Sequence, residues 1–337
     1  MTTAPVPAAD ALEALREAEA LAADGRNLEA LDLLTSRALG SGVAEVEIRL
    51  SELRYAAFAE LPEAGPPAWP VPTEGVDRSG PPSIPEVDAA DLTVEAIHVA
   101  MQSRGSLLGR CLLAGRTEAF VEAIDTALAA RGTEEGTWWR NLPLPREEAV
   151  SLGRHWVAGG GGLLACDSPH VLDMLFAAYT DLGLRDVVGG YLGERPVLSG
   201  NKCTLRRVPL DTNTDWHQDG AFLGDGIRAL NVWIALTECG VDSPGMDLVP
   251  KRFDQVVETG TGGAIFDWAV GPDTVPLVAP DAPVVRPLFH AGDALLFDDL
   301  FLHRTAIDPS MTRPRYAIES WFFAPTDYPK GQVPLVW

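Results

Sequence analysis

The sequence predicts an α+β protein in which the helices come first and the β-structure comes last. From Asp10 to about Glu60, apolar residues recur at helical spacing. After Gly190, short apolar or alternating runs stand between Gly, Pro and Asp. Helices followed by many short strands indicate a β-sandwich or barrel core with helices packed on it. The 337 residues suffice for one large core with an appendage.

The first 61 residues predict three short helices, with Gly25 and Gly40 as helix stops. The run AEALAADGRNLEALDLL (18–34) resembles part of a tetratricopeptide repeat. One partial repeat cannot bury its own apolar face, so we expect this region to pack on the main domain rather than to form a peptide-binding array. Contact with a partner protein through these helices is the alternative.

The rest of the chain divides into a connector and a main domain. Residues 62–92 are rich in proline, which disfavours helix, and they predict a linker or an extended wrap. The main domain is expected over 93–337, with a helical part over 93–190 and a β core over 191–325. In the helical part we predict helices at Thr93–Arg131 and Val171–Leu182, with the Gly159–Gly162 run as a turn. In the core the sequence predicts strands at 228–236, 283–289, 293–299 and 315–323.

Composition excludes several classes of partner. With 26 basic and 48 acidic residues the net charge is −22, which repels phosphate backbones and anionic lipids. No apolar run approaches transmembrane length, so neither nucleic acid nor a membrane is an expected partner. Four widely spaced cysteines predict reduced thiols, and no secretory signal is visible at the N-terminus, so we expect a cytoplasmic protein.

A histidine and an aspartate in the segment DWHQDG (215–220) predict a metal site. Residues two apart on a strand point to the same face, so His217 and Asp219 can share one ion. His303 follows a strand-like run and is the candidate third ligand. Two histidines and one carboxylate leave positions open for a bidentate co-substrate and O2, as in non-haem Fe(II) oxygenases. Zinc is the alternative on ligand type alone.

From about Leu205 to Pro325 the sequence resembles the phytanoyl-CoA dioxygenase (PhyH-like) family of Fe(II)/2-oxoglutarate oxygenases. The matching segments are TDWHQDG, LNVWIAL, GDALLFDDLFLHRT and SMTRPRYAIESWF, in the family's order. The resemblance implies a double-stranded β-helix (jelly-roll, cupin-like) core. It departs from the family at 243–254, where the Val-Pro pair is kept but a Ser-His pair is lost, so the substrate need not be shared.

The resemblance implies roles for individual residues. It makes the two histidines and the aspartate the iron ligands, and it places Arg315 where the family has the arginine that binds the distal carboxylate of 2-oxoglutarate. A guanidinium can bind a carboxylate in bidentate fashion. Arg313 is the less well matched alternative. Thr305 matches a hydroxyl residue that holds the same carboxylate, and Trp233 matches an aromatic residue of the co-substrate pocket.

Strand alternation and charge suggest further contacts for a substrate. If Arg315 points inward, so does Glu319, and an inward glutamate needs a partner. Asn231 shares a face with Trp233. Arg206 and Lys251 are basic candidates, although exposed, solvated charge is the better explanation of them, as it is of their neighbours Arg207 and Arg252.

The sequence therefore predicts an Fe(II)- and 2-oxoglutarate-dependent dioxygenase that uses O2 to oxidise a small molecule, by default through hydroxylation, with 2-oxoglutarate converted to succinate. Desaturation or ring closure stays open, as does the oligomeric state. The alternatives are a catalytically silent β-sandwich that binds a ligand or partner, and a zinc hydrolase.

Overall fold

The computed structural model describes residues 6–62, 76, 78, 81–133, 136–140, 154–211 and 215–337. Most of the Pro-rich connector therefore lies outside the described residues. The named helices are α1 (Ala8–Ala23), α2 (Asn27–Ala38), α3 (Ala44–Ala56), α4 (Val94–Arg104), α5 (Thr117–Ala130), α6 (Pro169–Asp181), α7 (Leu184–Leu192), α8 (Gly220–Leu223) and α9 (Val275–Val278). Residues 154–159 are also helical, and short 3-10 turns cover Ala57–Glu60, Ala89–Asp91 and Ala165–Asp167.

The strands are β1 (Glu86–Asp88), β2 (Ser106–Arg110), β3 (Gly162–Leu164), β4 (Val197–Ser199), β5 (Thr204–Val208), β6 (Ala229–Ala235), β7 (Gly245–Leu248), β8 (Ala294–Phe297), β9 (His303–Ala306), β10 (Arg315–Phe323) and β11 (Pro334–Val336). Within the described ranges, none of the helices combines the length and apolar character needed to cross a bilayer.

The N-terminal helices pack against one another and against the main domain. Gly25 and Gly40 lie between them with φ of 77° and 73°, values that glycine adopts without strain. Their small apolar core of alanines and leucines continues into Val197 on β4 and Val336 on β11. The helices thereby bury an apolar face that they could not bury alone.

The predicted helix over Thr93–Arg131 is wrong in its middle. Helix α4 ends at Gly105, whose φ of 79° terminates it, and β2 follows. Strand β2 pairs with β8 on one side and with β1, at the end of the Pro-rich segment, on the other. Leu107 and Leu108 are both buried, and a short run buried on both faces lacks the alternation that separates a strand from a helix.

A large sheet forms the centre of the main domain. Among the described residues it runs in the order β1-β2-β8-β6-β10-β4-β11, with β3 and β5 attached through β10. All pairings except β1 with β2 are antiparallel. Strand β10 coincides with the strand predicted at 315–323, and β6 and β8 lie inside the strands predicted at 228–236 and 293–299.

A smaller ladder of β7 and β9 lies beside this sheet and completes the core. The strand predicted at 283–289 is not continuous, because only Val285 and Phe289 form isolated bridges. Pro283 and Pro287 lack the N–H that a strand interior requires. A buried cluster that includes Trp233, Leu248, Phe297 and Trp321 combines side chains from the large sheet and from the β7–β9 ladder.

Candidate metal centre

Three potential ligands meet at the start of β9. His217, Asp219 and His303 each offer one donor atom, and these atoms all lie within 4.8 Å of one another. Asp219 and His303 are buried, and His217 is half-buried. The two imidazole rings have centroids 4.4 Å apart. The structure thus brings together the three residues that the sequence predicted as one metal site.

The backbone fixes the two histidines opposite each other. The His217 amide donates to the His303 carbonyl at 3.0 Å, and the His303 amide donates to the His217 carbonyl at 3.1 Å. Each ring places Nδ1 at 2.9 Å from a backbone carbonyl, that of Asp215 for His217 and that of Phe301 for His303. A carbonyl only accepts, so Nδ1 carries the proton and Nε2 keeps its lone pair for a cation.

The prediction that strand alternation brings Asp219 beside His217 is wrong, although the two side chains do lie together. Asp219 is not on a strand: its φ of −63° and ψ of −25° are helical, and it precedes α8. A turn after His217, rather than strand alternation, therefore brings the carboxylate to the histidines.

The electrostatics of the three residues suit a cation. Asp219 Oδ2 is buried without a hydrogen-bond partner and lies 3.7 Å from His303 Nε2. Burial raises the pKa of Asp219, while nearby His217 opposes that rise. Burial, and secondly His217, hold the pKa of His303 well below its usual range, so its ring is neutral. A buried carboxylate oxygen without a donor and two imidazoles oriented by backbone carbonyls fit a divalent ion.

Gln218, between two of the ligands, was missed by the sequence reasoning. Its side chain is fully buried; its Nε2 donates to the carbonyl of Leu300 at 2.6 Å, and its Oε1 accepts from the amide of Val257 at 2.7 Å. One amide thus joins the ligand turn to the segment before His303 and to the loop after residue 255. The segment TDWHQDG contains this glutamine but does not indicate its role, which only the contacts identify.

Arg315, at the start of β10, is a buried charged residue. Its side chain is 2% exposed, and its Nη1 donates to the carbonyls of Gly245 at 2.8 Å and Pro244 at 3.3 Å. Its Nε has no partner, and within the described part of the chain no carboxylate lies within ion-pairing distance. Burial lowers the pKa of Arg315 to about 10, so it stays protonated at neutral pH.

Arg313, the alternative to Arg315, is not in the interior. Its guanidinium is exposed and forms a two-point ion pair with Asp242, at 2.7 and 3.0 Å. The structure therefore corrects this alternative, because an arginine already paired on the surface does not face the pocket.

Aromatic residues lie against both the Arg315 guanidinium and the His303 ring. The Trp233 ring lies 5.1 Å from the Arg315 guanidinium carbon and packs edge-on against Phe289. Phe297, on the neighbouring strand, contacts the ring of His303 at 4.7 Å. Thr305 shares a face of β9 with His303 and pairs with Met246, next to the Gly245 carbonyl that holds Arg315.

One segment of the chain matches a known protein family. Residues 206–309 match the family model described as phytanoyl-CoA dioxygenase (PhyH). The predicted resemblance to the PhyH-like family, and with it the predicted enzyme class, an Fe(II)/2-oxoglutarate-dependent oxygenase, is confirmed over this segment. No curated protein matches the sequence.

The chain is similar to several solved structures. EctD from S. alaskensis, solved with 2-oxoglutarate and 5-hydroxyectoine, is 15% identical, with a TM-score of 0.50 over 80% of this chain and 89% of its own. SnoK, a non-haem α-ketoglutarate-dependent carbocyclase of nogalamycin biosynthesis, is 16% identical, with a TM-score of 0.48 over 73% of this chain and 88% of its own. The likeness to EctD confirms the predicted jelly-roll core.

The inner face of the PhyH-like sheet also carries the predicted polar residues Glu319 and Asn231. Glu319 accepts from Thr204 Oγ1 at 3.0 Å and lies 3.6 Å from Arg206 Nη2. Burial alone would raise the pKa of Glu319, but Arg206 and Lys202 hold it below its usual range. Asn231 is fully buried, and neither atom of its amide has a partner. An unsatisfied buried amide is costly, so Asn231 suits a ligand contact.

Lys251 and Arg252 are not placed as free cations for a substrate. Lys251 Nζ donates to the Val278 carbonyl at 2.6 Å, and Arg252 forms a buried ion pair with Asp298. Arg252 is thus compensated within the protein, whereas Lys251 is held only by a carbonyl, and its contact with an anionic substrate stays a prediction. Arg207 lies on the exposed side, 3.8 Å from Asp125.

A cavity of about 360 Å³ is lined by Gly220, the residue after Asp219. Its wall also includes Arg252, Asp298 and Asp299 and does not include the three metal ligands. A Cβ at Gly220 would lie 2.9 Å from Asp299 Oδ2, so a larger residue there would require Asp299 to move.

Proposed function

We propose that this PhyH-like protein binds Fe(II) through His217, Asp219 and His303 and 2-oxoglutarate through Arg315, and hydroxylates a small organic molecule. In this proposal 2-oxoglutarate is converted to succinate and CO2. Thr305 and Trp233 would complete the co-substrate pocket. Protein and nucleic-acid partners are not needed for this activity.

The observation that carries the proposal is the buried Arg315 without a carboxylate. Removing a charged group from water costs several kcal/mol unless an opposite charge compensates it. The two carbonyls that it contacts supply partial charge only. A dicarboxylate with one end on the guanidinium would supply the missing negative charge.

The spacing of the two ends is also suitable. Gly245, which holds Arg315, pairs with Ala306, and Leu248 pairs with His303. The two positions are three residues apart on β9, or roughly 10 Å at about 3.4 Å per residue. This length suits a five-carbon dicarboxylate whose other end reaches the metal ligands.

The residues of the chain prepare the site rather than react. The carbonyls of Asp215 and Phe301 orient the two imidazoles, Gln218 holds the turn that presents Asp219, and Trp233 with Phe297 excludes water. When bound, Fe(II) with 2-oxoglutarate supplies the chemistry: O2 is reduced while 2-oxoglutarate loses CO2 and substrate carbon is oxidised.

Anaerobic titration tests the proposal. Fe(II) and 2-oxoglutarate added to the protein should give a weak visible charge-transfer band, and His217→Ala should remove it. Arg315→Gln should raise the 2-oxoglutarate concentration needed for half-saturation by about 30-fold or more, since loss of one member of a buried charge pair costs about 2–5 kcal/mol.

Arg313→Gln is the matched control, because it removes a guanidinium two residues away that is paired on the surface. It should titrate like the native protein. Absence of the band together with absence of oxoglutarate-dependent succinate would refute the proposal. Loss of affinity in Arg313→Gln but not in Arg315→Gln would refute the assigned role of Arg315.

A further inference from the structure

Aromatic rings form a wall beside the metal ligands. The edge of Trp268 contacts the ring of His217, with centroids 5.9 Å apart. Phe266 stacks on Trp268 at 5.1 Å with an interplanar angle of 4°, and Phe222 meets Trp268 edge-on at 5.5 Å. Trp156 extends the wall by contacting Phe266 at 5.9 Å. This aromatic wall, Trp156, Phe222, Phe266 and Trp268, starts at a metal ligand and leads outward.

The aromatic wall is not part of the hydrophobic core. Phe222 and Trp156 are exposed, and Phe266 and Trp268 are half-buried. Neighbouring exposed aromatic side chains leave apolar surface in water, and such patches mark binding sites. At this place the surface is continuous with the metal ligands, so its natural occupant is the molecule to be oxidised.

The loop that carries Phe266 and Trp268 is fixed to the metal centre. The amide of Val257 donates to Gln218 Oε1 at 2.7 Å, and the amide of Val270 donates to the Trp216 carbonyl at 2.8 Å. The amide of Gly260 donates to the Ala269 carbonyl at 2.9 Å and closes the loop. Because both ends are bonded to residues next to ligands, the rings are held in position before a substrate binds.

A cation lies at the edge of this wall. Lys202 Nζ lies 4.0 Å above the ring of Phe222 and close enough to lower the pKa values of Asp219 and Glu319. Among the described residues no carboxylate lies within ion-pairing distance of this ammonium. Arg206 is paired with Glu319, whereas Lys202 forms no ion pair among the described residues.

We infer that the substrate is a planar aromatic molecule that carries one anionic group, with its rings on the aromatic wall and its anion on Lys202. This inference deepens the proposed function, since it names the substrate class for the same site. A flat ring system gains from offset stacking and edge contacts that an alkyl chain does not make in full. The unpaired ammonium favours an anion in a protein whose net charge of −22 otherwise repels one.

Three probes separate the two parts of the inference. Isothermal titration calorimetry would compare three probes. The first, 9-anthracenecarboxylate, has aromatic rings and an anion. The second, 9-anthracenemethanol, has the same rings without the anion, and the third, dodecanoate, has an anion on an alkyl chain. The titrations would use the protein loaded anaerobically with Fe(II) and 2-oxoglutarate and, in parallel, the metal-free protein. We expect 9-anthracenecarboxylate to bind about tenfold or more tightly than either other probe.

Two variants assign that preference to residues. Lys202→Met should weaken 9-anthracenecarboxylate about tenfold and leave 9-anthracenemethanol within about twofold. Trp268→Leu should weaken both ring probes and leave dodecanoate unchanged. Phe222→Leu, at an exposed position, repeats the ring test with little risk to folding, and Lys330→Met is the control for a remote exposed lysine.

Equal affinity for the three probes, or no binding of any, would overturn the inference. So would a preference for the anionic ring probe that survives Lys202→Met. The result is distinguishable from failure of the proposed function, because the metal-free titration needs neither iron nor turnover. A missing charge-transfer band with intact probe selectivity would refute the oxygenase proposal alone.

Discussion

Two fully buried arginines, Arg315 and Arg228, show how the same residue serves different purposes. Arg228 lies just before β6, where it forms ion pairs with Glu194 and Asp327 and donates to the Leu192 carbonyl at 2.6 Å. Arg315 has two carbonyl contacts, a bare Nε and no carboxylate within ion-pairing distance among the described residues. Burial is equal, so the difference lies in how the charge is compensated.

The comparison teaches where a ligand belongs. The chain itself neutralises Arg228 by joining the end of α7, the start of β6 and the segment after β10, so this arginine fixes the fold. The chain leaves Arg315 without a paired negative charge, roughly 10 Å along β9 from the three potential ligands of a divalent ion. At Arg315 the missing negative charge points to a ligand that supplies it.

The largest effect expected from this comparison is on stability. Arg228→Gln should lower the free energy of unfolding by about 3–5 kcal/mol, because it leaves Glu194 buried without its cation. Urea denaturation followed by tryptophan fluorescence measures the change. A loss below about 1 kcal/mol would show that the pairing does not hold the fold.

Substitution of Arg315 should have the opposite effect on stability. Without ligands, Arg315→Gln should change the free energy of unfolding by less than about 1 kcal/mol or even stabilise the protein, because it removes an uncompensated charge. In the native protein, Fe(II) with 2-oxoglutarate should raise Tm by a ligand-binding term that grows with ligand concentration. Differential scanning calorimetry should show that this rise is largely absent in Arg315→Gln and intact in Arg313→Gln.

Sequence reasoning succeeded where pattern and position determine structure. Alternation along RYAIESWFF predicted β10 to the residue, and it placed Arg315 and Glu319 on one face. It failed at β2, because Leu107 and Leu108 are buried on both faces of the sheet and show no alternation. It also placed Asp219 on a strand, since spacing alone does not distinguish a strand from a turn that brings the same two side chains together.

Other residues of the site carry no signal in the sequence. Lys202 lies in the turn after β4 and belongs to no motif. Its role depends on Phe222 and Asp219, which lie farther along the chain and come close to it only in the folded protein. Gln218 looks like a spacer between two ligands. Their roles depend on tertiary contacts, which no local pattern encodes.

Gln218 is a neutral buried side chain whose hydrogen bonds, rather than its charge, support the site. Gln218→Leu keeps the volume but removes the hydrogen bonds to Leu300 and Val257, so the turn that presents Asp219 loses its anchor. Loss of such an outer contact typically weakens metal binding about 10–100-fold. Competition with a colorimetric chelator measures the affinity for Fe(II) or Co(II). Gln332→Leu, far from the ligands in sequence and at the β4–β11 side of the fold, is the control and should bind metal normally.

The last effect concerns a buried carboxylate that the protein compensates only in part. Asp173 on α6 accepts the Gly40 amide at 2.9 Å with Oδ2, whereas its Oδ1 has no partner. Burial, followed by repulsion from Glu47, raises the pKa of Asp173 to about 7. Unlike a guanidinium, a carboxyl group can settle this imbalance by taking up a proton, so an unsatisfied oxygen here does not call for a ligand.

The sign of the pH dependence follows from that difference. Between the ordinary pKa of an aspartate and about 7, the folded protein binds more protons at Asp173 than the unfolded chain does, so this residue makes stability fall as pH rises through that window. Asp173→Asn keeps the acceptor for Gly40 and removes the titration. The variant should therefore gain about 2–3 kcal/mol relative to the native protein between pH 5 and pH 8. Denaturation curves at both pH values measure this gain, and a difference that does not change with pH would mean that Asp173 is ionised throughout and that Arg54 compensates its charge.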